Sequence, residues 1–181
     1  MHDYRYGEGH FKPAMFSPRR TQLADCLDDF FFTQSYDTIL GSSRSASSGQ
    51  VVQLDVRRKI ASLDLPGMPH LGSGITWKWR DPAGRERMVM ASPNLNAGLV
   101  TVIDLKTYQT IKQIKTLGPG FFLRSHEMSR YAFTDSMMSK ENKNTLQVID
   151  KETLEVVAQI QAEPGQTLAH VEFTRDGRYA L

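Results

Sequence analysis

Three histidines stand in comparable places along this chain, and each follows a break rich in glycine and proline. His70 comes after Pro66-Gly67-Met68-Pro69, His126 after Leu117-Gly118-Pro119-Gly120, and His170 after Pro164-Gly165. An imidazole in such a place has three uses: it ligates a metal, donates a hydrogen bond, or moves a proton near neutral pH. The three lie 15, 22 and 20 residues after Asp55, Asp104 and Asp150, and His126 aligns nearer Thr174 than His170. They are not one consensus position of a repeat. From spacing alone, a structural and a functional reading of the trio stand close to even.

Other chemistry is sparser. Arg124 lies two residues before His126, so on an extended strand both side chains share a face. Its guanidinium suits a bidentate grip on a ligand carboxylate, or equally a salt bridge to a neighbouring sheet. Pro69 stiffens the corner that carries His70, and Gly72 and Gly74 let backbone approach closely. Glu127 and Glu172 read as solvated or hydrogen-bonded strand residues, because no nucleophile accompanies them.

The elements that must position these residues form a repeat. In Asn144–Leu181 an apolar run ends at Asp150, a second alternating run covers Leu154–Ile160, a Pro-Gly break follows, and strand-turn-strand surrounds Asp176-Gly177. The same order occurs upstream from Gly98 and, more loosely, from Gly49. Asp55, Asp104 and Asp150 are 49 and 46 residues apart, and Arg-Tyr-Ala recurs at Arg130 and Arg178, 48 apart. Such a period, about 40 to 50 residues, is that of a propeller blade. The fold class expected is all-β, a β-propeller, with three to four blades present and the last one unfinished at Leu181.

Residues 1–48 are expected to hold a connecting segment and a partial blade, with a short strand at Ala14–Phe16; residues 49–181 hold blades. Phe30-Phe31-Phe32 suits a strand buried on both faces. Gly41–Gln50 suits an exposed loop. Because closed propellers usually need more blades, the chain reads as a fragment of a longer protein or as a half-propeller completed by oligomerising.

Composition excludes several classes. Net charge is +2 with both signs interleaved, and the tight basic groups Arg19-Arg20 and Arg57-Arg58-Lys59 lack an aromatic stacking series, so nucleic acid is not expected as a partner. Cys26 is the single cysteine, which precludes an internal disulfide or a Cys-x-x-Cys motif. It is expected to be a small buried apolar side chain. No apolar run reaches membrane-spanning length, and Met1-His2-Asp3-Tyr4 lacks the basic and apolar regions of a signal peptide.

PHLGSGITW at Pro69–Trp77, TLGPGFFLRSHE at Thr116–Glu127, TLQVIDKETLEVV and AHVEFTRDGRYAL resemble the haem d1-binding, eight-bladed propeller of cytochrome cd1 nitrite reductase and its relatives. The resemblance covers Asp28–Leu181. GQVVQLDV and DDFFF resemble in particular the branch of c-type cytochromes that oxidises dihydro-haem d1 to haem d1. That likeness implies a periplasmic oxidoreductase whose electrons leave through a c-type haem on a domain outside this chain. It implies that His70 faces the distal side of haem d1, as an iron ligand or a substrate-facing group. His126 corresponds to a second distal histidine that helps bind nitrite and supply protons, His170 to a histidine used in proton removal, and Arg124 to a partner of a haem carboxylate. His70 is followed by Leu71, a departure from the nitrite reductases that counts against nitrite reduction. The implied partners are haem d1 or its dihydro precursor, an electron-transfer protein and other haem d1 assembly or nitrite reductase proteins. The alternatives are a nitrite reductase domain and a non-catalytic haem d1 carrier or interaction propeller. The proximal histidine and a tyrosine of a later blade fall outside this chain, so the isolated 181 residues are expected to bind haem d1 poorly and to be inactive.

Overall fold

A computed structural model describes residues 6–7, 10–11, 20–23, 25–46 and 48–181 of the protein. The strand expected at Ala14–Phe16 lies outside them. A two-stranded ribbon, β1 (Tyr6–Gly7) with β2 (His10–Phe11), precedes three four-stranded antiparallel sheets in chain order. The first sheet is β3 (Asp29–Phe32), β4 (Thr38–Ser42), β5 (Gly49–Gln53) and β6 (Arg58–Leu63). The second is β7 (Ile75–Arg80), β8 (Glu86–Pro93), β9 (Leu99–Asp104) and β10 (Thr110–Lys115). The third is β11 (Leu123–Ser125), β12 (Tyr131–Asp135), β13 (Thr145–Asp150) and β14 (Glu155–Gln161). A bridge between Phe173 and Ala180 continues the pattern. These are consecutive blades of a β-propeller, each pairing its strands in sequence order. The expected boundary at 48/49 falls between the second and third strands of the first sheet, which is a full blade.

The apolar runs of the middle strands are near-continuous because both of their faces are covered. In β8, Val89 and Ala91 pack toward the third blade while Met90 packs toward the first; in β9, Val100 and Val102 face the third blade and Ile103 the first. The strand period of two thus feeds two cores. One core joins Leu40, Val51, Leu63, Leu65 and Leu71 to the second blade, and the other joins Leu123, Ala132, Ile149 and Leu154 to it. Each fully buried aliphatic side chain contributes about 1.5–3 kcal/mol. The outer strands β6 and β14 are mostly exposed.

Every blade closes its outer hairpin in the same way. Arg57, Tyr108 and Leu154 have φ near 55–59°, and three residues later Ile60, Ile111 and Val157 are extruded as bulges. Counting back from these landmarks makes Gln53, not Asp55, the equivalent of Asp104 and Asp150. All three side chains accept the amide three residues on: Val56 to Gln53, Thr107 to Asp104 and Thr153 to Asp150. Asp55 sits in the turn itself.

Three local expectations are corrected. The exposed loop expected over Gly41–Gln50 is strand at both ends, with Gly41 and Ser42 buried in β4 and Gly49 and Gln50 buried in β5, because these are the middle strands of the blade. Cys26 is exposed, because it precedes the first blade rather than lying within its core. The Phe30–Phe32 strand is not buried on both faces: Phe30 is 42% exposed, since β3 is the first strand of its blade and has an open side.

Candidate functional site

First strands of blades line the central channel of a propeller, and each has an upstream end, reached from the previous blade, and a downstream end that enters a hairpin. His70, Phe121, Phe122 and His170 all lie just upstream of a first strand. Their rings form a continuous row: centroids are 4.2 Å apart for His70 and Phe121, 4.8 Å for Phe121 and Phe122, and 4.5 Å for Phe122 and His170. The row crosses from the second blade to the start of the fourth.

The backbone beneath His70 is pinned from two blades. Ser42 Oγ donates to the Pro69 carbonyl at 3.3 Å, and the His70 amide donates to Pro93 O at 2.8 Å. Asn94, 1% exposed, donates through Nδ2 to Pro66 O at 2.6 Å and accepts the Met68 amide at 3.4 Å. A Cβ at Gly67, where φ is +70°, would sit 2.9 Å from Asn94 Oδ1, so this turn demands glycine. After His70 a 3-10 turn, Leu71–Ser73, buries Leu71, and the Gly72 amide donates to Asp29 Oδ2 at 3.1 Å.

His70 Nδ1 lies 2.6 Å from Phe121 O. A carbonyl only accepts, so the proton sits on Nδ1 and the neutral ring keeps its lone pair on Nε2. Nε2 is 3.9 Å from Asp29 Oδ2, too far for a hydrogen bond but close enough for attraction when the ring is charged. The His70 side chain is 19% exposed. One nitrogen is committed to the fold and the other lies on the side of Asp29.

Phe121 and Phe122 are held by Asp135, whose two carboxylate oxygens accept their amides at 2.9 and 2.7 Å. Arg124 places its guanidinium carbon 5.4 Å from the Phe122 ring centroid, within cation–π range. His170 is half exposed, with Nε2 3.4 Å from Glu172 Oε1, and its φ of 57° is left-handed. The other non-glycine residues with positive φ among the described residues, Tyr36, Arg57, Tyr108 and Leu154, all serve hairpin turns. His170 alone takes that conformation in a connection between blades, and strain of this kind tends to mark functional positions.

His126 does not join them. The extended strand expected to carry both Arg124 and His126 is only Leu123–Ser125, so His126 falls past its downstream end and does not share a strand face with Arg124. Its Nδ1 accepts the Met128 amide at 3.1 Å, its carbonyl accepts Lys151 Nζ at 3.1 Å, and its ring packs on Gly177. His70, His170 and Arg124 therefore gather around Phe121–Phe122, while His126 caps a hairpin. The phenylalanine pair stood inside a motif already singled out, but its rings gave no chemical signal. Asp29 and Asp135 had no one-dimensional signal at all.

This arrangement offers a row of aromatic rings tilted 51–60° to one another, one imidazole lone pair of fixed direction, one half-exposed imidazole beside a carboxylate, and one cation. Three comparisons bear on it. A protein of Pseudomonas aeruginosa, dihydro-heme d1 dehydrogenase, is 51% identical over 165 residues, covering 91% of this chain and 32% of its own length. The solved structure of dihydro-heme d1 dehydrogenase NirN in complex with DHE superposes with a TM-score of 0.83 at 49% identity, over 91% of this chain and 34% of that one. Hydrazine synthase of Kuenenia stuttgartiensis shares the fold at a TM-score of 0.64 and 18% identity, over 97% of this chain and 44% of that one. The chain thus spans about a third of the dehydrogenases it matches. Residues 9–181 match the cytochrome D1 heme domain, and with nearly its whole length accounted for in this way, the chain belongs to that family.

Proposed function

We propose that this chain forms part of the haem d1-binding propeller of a dihydro-haem d1 dehydrogenase. The observation that carries the reading is the row His70–Phe121–Phe122–His170 along the upstream rim. A tetrapyrrole is a broad flat ring with anionic carboxylates at its edge, and the row supplies what it needs. Phe121 and Phe122 present apolar ring surface, Arg124 supplies a cation for a carboxylate, and His70 Nε2 has the lone pair an iron ligand requires. When bound, haem d1 chemistry supplies the route by which electrons leave toward a c-type haem.

Removing two hydrogens from a carbon–carbon single bond leaves a double bond, two electrons and two protons. The chain's own residues act on the proton side. His170 accepts one of the two protons, with Glu172 Oε1 3.4 Å from its Nε2 stabilising the imidazolium until the proton is released to water, and the second proton leaves directly to water. His70, with Nδ1 committed to a carbonyl, keeps Nε2 in one direction. The compartment we propose is the periplasm, supported by the resemblance to periplasmic c-type cytochromes. Nitrite reduction is not favoured, because His126, the residue it would call on, sits at the far end of its strand.

The test uses the complete protein containing this chain. Incubated without oxygen with dihydro-haem d1 and an electron acceptor, it is expected to convert the pigment to a product two mass units lighter. Turnover of nitrite with no change in the dihydro pigment would overturn the proposal.

A further inference from the structure

Asp135 ends β12 and is 1% exposed, and none of the ion pairs found among the described residues includes it. Asp104 and Asp150, also buried at strand ends, both pair with arginine. An isolated buried carboxylate is costly unless hydrogen bonds carry its charge. Here backbone amides carry it: Oδ1 accepts Phe121 N at 2.9 Å and Met137 N at 3.0 Å, and Oδ2 accepts Phe122 N at 2.7 Å. Both oxygens are spent on two consecutive residues of the connection between blades. The same connection is held close on its other side, since a Cβ at Gly120 would collide with the Asp135 carbonyl oxygen.

The consequence passes through one residue. Phe121 gives its amide hydrogen to Asp135, and its own carbonyl oxygen accepts the proton of His70 Nδ1 at 2.6 Å. That carbonyl lies in one rigid peptide plane with the Phe122 amide, which Oδ2 holds, so the clamp sets the carbonyl's direction, and the carbonyl decides which imidazole nitrogen holds the proton. Among the described residues the ion-pair partner of the ring is Asp29, 3.9 Å from Nε2, which draws a proton the opposite way. Phe122, held by the second oxygen, backs His170 at 4.5 Å.

We infer that Asp135 is a positioning residue: by clamping the Phe121 and Phe122 amides it locks His70 in the Nδ1–H tautomer and supports His170 from behind. The inference rests on the dehydrogenase reading for its effect on turnover, but not for its effect on the His70 ring.

The substitution Asp135→Asn keeps the shape and replaces one acceptor with an amide group that cannot accept the Phe122 hydrogen. In the 181-residue chain labelled with [15N]histidine, correlation spectra of the rings are expected to show His70 as a single Nδ1–H tautomer. In Asp135→Asn a mixture with the Nε2–H form should appear. Asp150→Asn, which weakens a comparable clamp on the other rim, should leave the His70 signals unmoved. In the complete protein Asp135→Asn should lower kcat for dihydro-haem d1 oxidation about 10- to 100-fold, the usual range for losing the partner that orients a functional histidine. An unchanged tautomer in Asp135→Asn overturns the inference, and so does the same change in Asp150→Asn, which would mean general loosening. If His70→Ala leaves oxidation intact, the functional reading falls while the tautomer result still decides this one. Should Asp135→Asn fail to fold, hydrogen exchange on the unaltered chain decides instead. The Phe121 and Phe122 amides must be protected like those of β12, and rapid exchange at either overturns the clamp.

Discussion

The two ends of the short strand β11 make the most instructive contrast in the molecule. Phe122 stands just before it and His126 just after, roughly 13 Å apart at about 3.3 Å per residue. Upstream, buried polar groups on Ser42, Asn94 and Asp135 hold connections that carry rings. Downstream, polar groups close hairpins around a cleft of about 1060 Å³. Trp77 and Trp79 donate to the carbonyls of Lys151 and Glu152 at 3.1 and 2.9 Å, and Lys151 Nζ donates to His126 O. The two histidines are even held in opposite tautomers. His70 donates through Nδ1 to a carbonyl, whereas His126 accepts an amide at Nδ1 and so carries its proton on Nε2. The same residue type is thus left with a different free nitrogen by the backbone around it.

The largest effect should come from exchanging one histidine for alanine on each rim of the complete protein. His170→Ala is expected to slow dihydro-haem d1 oxidation about 100-fold or more, the range for losing a positioned proton acceptor. His126→Ala should leave the rate within roughly threefold, since mutations outside the site act mainly through stability. Steady-state rates with each variant check this. Equal losses would erase the distinction between the rims.

A second test sharpens the account of the downstream hairpins. Burial pushes the Asp104 carboxyl up, but the Arg87 guanidinium at 2.6 Å and the amides of Lys106 and Thr107 outweigh it and hold the group below its usual value. Gln53 does the same job in the first blade with a single amide contact. Asp104→Ala leaves Arg87 without its main partner and should cost about 3 kcal/mol, the lower end for breaking a buried pair. Gln53→Ala should cost about 1 kcal/mol, one net hydrogen bond. Urea midpoints of the two variants measure the difference.

The propeller was legible in the sequence because a blade leaves a coarse trace: paired apolar runs, an acidic residue at a strand end, and a Pro-Gly break. The register was harder. Asp55 matches Asp104 in type and nearly in spacing, yet Gln53 holds the equivalent place, because an amide oxygen closes the turn as well as a carboxylate oxygen does. The site was half legible for a related reason. Distance from a break does not say on which side of a three-residue strand a histidine falls, and β11 is that short. His70 and His170 precede their strands while His126 follows its own. Asp135 acts on residues 13 and 14 positions earlier through backbone amides, which no side-chain pattern records.

Acid should separate the rims in another way. Asp81, at the β7–β8 hairpin, has its carboxyl lowered to about 2, chiefly by the Arg85 backbone amide, with the Arg85 and Arg87 side chains adding to it against desolvation. Its folded value lies below the unfolded 3.8, so the stability it provides is fully present above that value and is lost as pH falls toward 2. Asp81→Asn should flatten the decline in melting temperature between pH 4 and 2. An unaltered acid limb would remove Asp81 from the account of this hairpin.

The smallest effect expected belongs to Lys151, which lines the downstream cleft. It is 8% exposed, its Nζ reaches the His126 carbonyl, and burial lowers its pKa from 10.5. The unfolded chain therefore binds this proton more tightly than the folded one. The penalty is full below the folded value and is relieved as pH rises through it toward 10.5. Lys151→Met removes the titration while keeping an unbranched apolar stem. Relative to the unaltered chain, it should gain less stability, or lose more, between pH 7 and 10, with the two differing at pH 7 by no more than about 1 kcal/mol, the size of the hydrogen bond given up. Parallel pH dependences would mean that the Lys151 ammonium is hydrated through the cleft.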